Sequence, residues 1–159
     1  MQDQIVSDET TVVSNRKARH EYEIIDQIEA GLVLVGSEVK SLRAGRANLG
    51  DAYAKVIKGE VWVTGMHISP YKEATSQNHD PLRERKLLLH RNQIKKLARR
   101  IDEKGFTLIP LRLYFRKNIV KVELGIARGK RQYDKKIAIA QKDAKREIER
   151  EQKKLKFKL

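Results

Sequence analysis

The sequence predicts a mainly β domain, with short strands curled into a small closed barrel, two or three short helices and a basic C-terminal tail. Three observations carry that expectation. Runs of β-branched and aromatic residues recur between glycine-rich or polar turns. One segment places Ile94, Leu97, Ala98 and Ile101 at the i, i+3, i+4, i+7 spacing of a helix. From Arg128 onward the composition changes: the last 32 residues hold 13 Lys or Arg against 5 Asp or Glu, in a chain of 159 residues with a formal net charge of +14. More than half the net charge lies in a fifth of the length, which marks a tail rather than part of a core.

The elements follow in chain order. Residues 1–14 carry Asp3, Asp8 and Glu9 and no cation, lack an apolar period, and read as a loose, flexible N-terminus. Asn15 to His20, NRKARH, is an abrupt positive cluster. Tyr22 to Glu29 sets Tyr22, Ile24 and Ile28 on one parity, as a strand does; Ile25 breaks the alternation and leaves a helix as the alternative. Leu32 to Val35 reads as a buried strand, broken by Gly36 and Ser37. Glu38 to Arg43 suits one short helical turn, because Val39 and Leu42 lie three apart on one face while Lys40, Arg43 and Arg46 point elsewhere. AYAKVI and VWVT form a hairpin about Lys58-Gly59-Glu60. Gly65 to Tyr71 gives a further short strand ended by Pro70, and residues 72–82 an exposed loop.

Arg83 to His90 then enters the helix, with Asn92 as its N-cap and Gly105 as its stop. Lys95, Lys96, Arg99 and Arg100 take the face opposite the apolar one. Phe106 to Phe115 and Val120 to Ile126 alternate as two longer strands joined at Arg116-Lys117-Asn118, with Arg112, Lys121 and Glu123 on the wetter parity. In the tail, Ile137, Ala144, Ile148 and Leu155 make a stripe too thin to pack a core, on a helix marginal by itself. About six strands with a helix before the last two suggest a closed barrel, and oligonucleotide-binding (OB-fold-like) barrels are the nearest analogy. The domain so read is 15–127, flanked by 1–14 and 128–159.

A pI near 10.0 makes a polyanion the leading partner and nucleic acid the leading polyanion. The absence of cysteine excludes disulfides, zinc fingers and thiol catalysis. No apolar run reaches the ~18 residues of a membrane span. The acidic N-terminus lacks the regions of a signal peptide, so a cytoplasmic protein without membrane association is expected. Gly31 to Gly36 and Gly45 to Gly50 have the glycine spacing of a Walker A loop. Ser37-Glu38 and Asp51-Ala52 stand where that loop needs Lys-Ser/Thr, so nucleotide hydrolysis has no support. His20, His67, His79 and His90 are scattered, without HExxH or i, i+4 spacing, and no metal or cofactor is expected. No GxSxG occurs and no catalytic residue is assigned.

Basic clusters with aromatics remain. NRKARHEY brings His20 and Tyr22, and GIARGKRQYDKK brings Tyr133, Lys135 and Lys136. Cations neutralise phosphates, and a ring stacks on an unpaired base. Glu29, at a strand end before Gly31, is a carboxylate able to accept from a base edge or to orient a cation, and equally a solvated edge charge. Two readings from other classes stay open. One is a constitutive structural ribosomal protein; the other is a small basic ribonuclease assembled from scattered histidines.

NRKARHEY, EAG, GSEVKSLRAGRANLGDAY, DPLRERKLLLH and GIARGKRQYDKK, in this order from Asn15 to Lys136, closely resemble the small protein B (SmpB) family, the tmRNA-binding proteins of bacterial trans-translation. The resemblance implies an OB-type barrel that binds the tRNA-like domain of tmRNA (SsrA RNA) and brings it to stalled ribosomes as a monomeric adaptor, not an enzyme. The tail is then disordered when free and helical on the ribosome, where it occupies the decoding centre and the empty mRNA channel of the small subunit. Residue by residue, Glu29 and Leu88 match family positions tied to RNA binding. His90 matches a third, where many members have Asn, and Lys121 matches a basic position on the RNA-facing side. His20, Tyr22, Lys40 and Arg43 complete the expected RNA-binding set. Tyr133 matches a position that is often His or Tyr. Asp134-Lys135-Lys136 matches the family's Asp-Lys-Arg, keeping the charge and losing the bidentate guanidinium.

Overall fold

The computed structural model of the chain describes residues 9–74 and 77–157; for 104, 131–140 and 155–157 the description is of the backbone. It is mainly β, with nine strands and four helices among the described residues. In order these are β1 (Glu9–Ser14), α1 (Arg16–Glu21), β2 (Tyr22–Leu32), α2 (Gly36–Arg43), β3 (Ala47–Asn48), β4 (Tyr53–Ile57) and β5 (Glu60–Thr64). There follow β6 (His67–Ile68), β7 (Arg85–Leu88), α3 (Arg91–Lys104), β8 (Thr107–Arg116), β9 (Ile119–Gly129) and α4 (Lys130–Phe157). The chain divides into two units, 1–128 and 129–159, and α4 belongs to the second. No helix among the described residues is long and apolar enough to cross a membrane.

Seven strands form one sheet in the order β1-β8-β4-β5-β7-β2-β9. A further pairing of β8 with β9 closes six of them into a ring. The alternating strands supply its interior: Val61, Val63, Leu87, Leu113, Val122 and Leu124 are all at most 1% exposed. Leu42 of α2 and Leu97 of α3 join the same core, as their helical spacing requires. Two tight hairpins hold the ring. Lys58-Gly59 joins β4 to β5 and Lys117-Asn118 joins β8 to β9, all four at positive φ, the geometry that matches the twist of paired strands.

The structure differs from the sequence reading in four places. Residues 9–14 are a strand, not part of a loose terminus: β1 pairs with β8, and Glu9 bonds Arg112 and Arg116 of that strand. Residues 1–8 lie outside the described residues. NRKARH is helical, because Asn15 caps α1 by accepting from the Ala18 N–H at 3.1 Å. The buried strand placed at Leu32 to Val35 is instead the end of β2. Leu32 is buried, while Val33 and Val35 are exposed as the chain leaves the sheet for α2.

The fourth difference is the largest. Arg83 to His90 does not enter the helix; residues 85–88 form β7 between β5 and β2, with Arg85 and Leu87 inward at strand period. The helix starts at Arg91, with His90 at the N-cap, two residues before the expected Asn92. Gly105 ends it at φ 66°, as the stop signal predicts.

Candidate nucleic-acid interface

A groove of about 820 Å³ opens where β2, β7 and β9 meet the starts of α2 and α3. Four of the expected residues line it together: Glu29, Leu88, His90 and Lys121. Gly31 pairs with Leu88 across the β2–β7 ladder, and a Cβ on Gly31 would lie 3.1 Å from that of Leu88. The missing side chain gives Leu88 room to lie over the strand while remaining 52% exposed. Leu34, Val39 and Val120 add apolar lining, and Ile119 at the rim is 58% exposed. His90 stands at the N-cap of α3, where its N–H donates to Gln93 Oε1 at 2.9 Å. Lys121 lies opposite Tyr114 in the β8–β9 ladder.

Glu29 is held rather than loose. The Tyr114 hydroxyl donates to its Oε2, and Arg116 Nη1 lies 2.6 Å from the same oxygen. Burial, and then the hydrogen bond to Glu29, push the Tyr114 phenol well above its ordinary range, so it remains a donor. The Arg112 guanidinium stacks 4.0 Å from the centre of the Tyr114 ring. Glu9 bonds both arginines, and the hydrogen bond from Arg116, followed by the Arg116 and Arg112 charges, outweighs burial to hold its carboxyl below the usual range. This scaffold fixes one carboxylate oxygen of a side chain that lines the groove and is 34% exposed. An apolar floor, a fixed acceptor and a cation suit an unstacked base with its phosphates.

The other expected residues lie elsewhere. His20 is exposed at the end of α1, and Tyr22 lines a smaller cleft with Asn15, Lys17 and Asp51. Lys40 and Arg43 line a separate cleft with Arg46, Tyr71 and Lys72, where Lys40 sits 5.5 Å from the Tyr71 ring centre and Arg43 5.2 Å from that of Phe115. Tyr133, Asp134, Lys135 and Lys136 lie on α4, where the description is of the backbone.

Sequence reasoning missed the buried group that ties α2 to β7 and the loops at Met66 and Pro81. Glu38 and Arg85 are both 0% exposed and pair directly; Arg83 bonds the other Glu38 oxygen. Glu38 also accepts from the Val35 N–H at 3.0 Å, satisfying a free donor at the start of α2. Arg85 donates onward to the Met66 carbonyl at 2.7 Å and the Pro81 carbonyl at 3.1 Å. Burial pushes the Glu38 carboxyl up, but the bonds from Arg83, Val35 and Arg85 outweigh it and hold it below its ordinary range. The acid at the third position of a short helix was the available signal; its arginine partners, 45 and 47 residues on, had none. His79, taken as a loop residue, bridges Ser37 Oγ at 2.8 Å and the Ile68 carbonyl at 2.9 Å. No group of three or more metal-ligating side chains occurs among the described residues.

A ring of strands in a strongly basic chain, with a groove lined by a carboxylate, apolar side chains and a lysine, suits a β-domain of the nucleic-acid-binding class. Comparison with known proteins narrows this. The family model described as SmpB protein matches residues 12–154, and the chain belongs to that family. The SsrA-binding protein of Acetivibrio thermocellus is 59% identical over 139 residues, 87% of this chain and 90% of its own. That of Geobacillus thermodenitrificans is 56% identical with the same coverages. A chain of the solved structure "tmRNA-SmpB: a journey to the center of the bacterial ribosome" superposes with a TM-score of 0.64 at 45% identity, covering 74% of this chain and 83% of that one.

Proposed function

We propose that this protein binds the tRNA-like domain of tmRNA and carries it to stalled ribosomes for trans-translation, as a cytoplasmic, monomeric binding protein without catalysis of its own. The six-strand ring is read as an OB-type barrel, with Glu29, Leu88, His90 and Lys121 as its RNA-contacting residues and His20, Tyr22, Lys40 and Arg43 as flanking contacts. The observation that carries this reading is the convergence of the first four, from three separate stretches of the sequence, on one groove around an anchored carboxylate. Family membership and the names of its relatives support it. Binding should combine many phosphate contacts with a few specific ones. A gel-shift titration of tmRNA against a size-matched tRNA and an unrelated RNA, across a salt series, tests it. Preference for tmRNA that survives rising salt is expected; equal affinity for all three at every salt concentration overturns the assignment.

The tail is read as the ribosomal element, with Tyr133, Asp134, Lys135 and Lys136 at the decoding centre and the rest in the vacant mRNA channel. Residues 141–154 of α4 are all exposed, so this helix has little buried surface to hold it in isolation. It is therefore expected to be disordered when free and to become helical against ribosomal RNA. Deleting 134–159 should leave tmRNA affinity intact and abolish tagging of a stalled nascent chain. Loss of both would show that the tail and barrel roles are not separable.

A further inference from the structure

The cations of α3 differ from most of those on α1 and the strands. Lys17 pairs with Asp51 at 3.5 Å, Arg19 with Glu123 at 3.6 Å and Lys55 with Glu84 at 3.2 Å. On α3, Arg100 pairs with Asp26 at 3.0 Å. Arg91, Lys95, Lys96 and Arg99 are exposed, with no ion pair among the described residues. Arg91, Lys95 and Arg99 stand at i, i+4 and i+8, and Lys96 and Arg100 run beside them, so like charges sit one turn apart. An isolated helix is weakened by that arrangement. The face is not needed for packing, since Ile94, Leu97 and Ile101 serve the core from the other side.

The basic face is continuous with the groove. Gln93 lines both the groove beside Glu29 and a cleft of about 390 Å³ along α3, whose rim carries Lys96, Arg99 and Arg100. His90, the helix cap, lies in the groove at the junction. The i, i+4 steps rise by ~6 Å, so the cations form a row along the helix.

We propose that this face of α3 is a phosphodiester track, holding the backbone of the same RNA whose exposed nucleotide occupies the groove. The inference rests on reading that groove as the tmRNA site. The track supplies sequence-independent affinity, and the groove supplies the choice of RNA.

The test compares wild type with a K95Q/K96Q/R99Q variant, which keeps similar helix propensity at exposed positions. A K55Q/K58Q/K86Q variant removes equal charge elsewhere. Affinities for tmRNA and for an unrelated RNA are measured across a salt series, with circular dichroism as the folding check. The α3 variant should weaken binding of both RNAs alike and make the slope of log affinity against log salt shallower by about two, at ~0.9 or less per lost phosphate contact. The control variant should leave the slope nearly as it is. An unchanged slope in a folded α3 variant, or an equal change in the control, overturns the track. Absence of any tmRNA preference in wild type would instead overturn the reading of the groove, so the two failures are distinguishable.

Discussion

Two carboxylates, Glu38 and Glu29, are each gripped by arginine, yet they differ in solvent access. Glu38 is sealed: two arginines and a backbone N–H use both its oxygens, and Arg85 spreads the connection to the loops at Met66 and Pro81. Glu29 is half open. Tyr114 and Arg116 converge on one of its oxygens, while the groove leaves the residue 34% exposed at its side chain. The same chemistry thus serves two ends. Where both oxygens are bonded and water is excluded, the carboxylate fastens helix to strand. Where one oxygen is pinned and the side chain still lines a groove, the proposed function makes the carboxylate a preorganised acceptor.

The contrast makes unequal demands on mutation. Glu38→Ala leaves Arg85 buried without its partner and should destabilise the domain by about 3–5 kcal/mol, read from urea denaturation. A loss below about 1 kcal/mol would show that the pair is not a fastening. The same carboxyl gives an acid signature. Its folded-state pKa lies below the unfolded one, so its contribution is fully present above the ordinary carboxylate range and is lost as pH falls through the folded value. Urea midpoints should fall on acidification in wild type and fall less steeply in Glu38→Gln; parallel curves would assign the acid sensitivity to other groups.

On the open side the effects move from stability to binding. Tyr114→Phe removes the hydroxyl that holds Glu29 and should lower tmRNA affinity roughly fivefold, about the worth of one hydrogen bond, with an unchanged salt slope. A changed slope would mean that the tyrosine acts on phosphate contacts instead. Gly31→Ala is a change of similar size that acts through Leu88 instead of Glu29. Its Cβ would meet Leu88 at 3.1 Å and displace it, at about 1 kcal/mol in binding. Retained affinity would show that Leu88 tolerates the shift.

The same contrast explains what could be read from the chain. Local patterns carried the hairpins, α2, the apolar face of α3 and the last two strands, because side-chain period and turn chemistry act over a few residues. They failed at 83–90, where three leucines in a row fit either period and only burial of Arg85 settles the matter. They failed also at residues 9–14, whose strand character comes from β8, about a hundred residues away. Glu29, Leu88, His90 and Lys121 were reached through family resemblance. The Tyr114 and Arg116 scaffold behind Glu29 was legible in neither period nor motif, since it exists only once β2, β8 and β9 share a sheet.

The central claim, that Glu29 is an open acceptor which selects RNA, is tested most directly by Glu29→Ala in parallel titrations with tmRNA and an unrelated RNA. Affinity for tmRNA should fall roughly tenfold or more, the scale of a hydrogen bond to a charged group, while affinity for the unrelated RNA and the salt slope hold. A folded variant that binds tmRNA as tightly as wild type would contradict it.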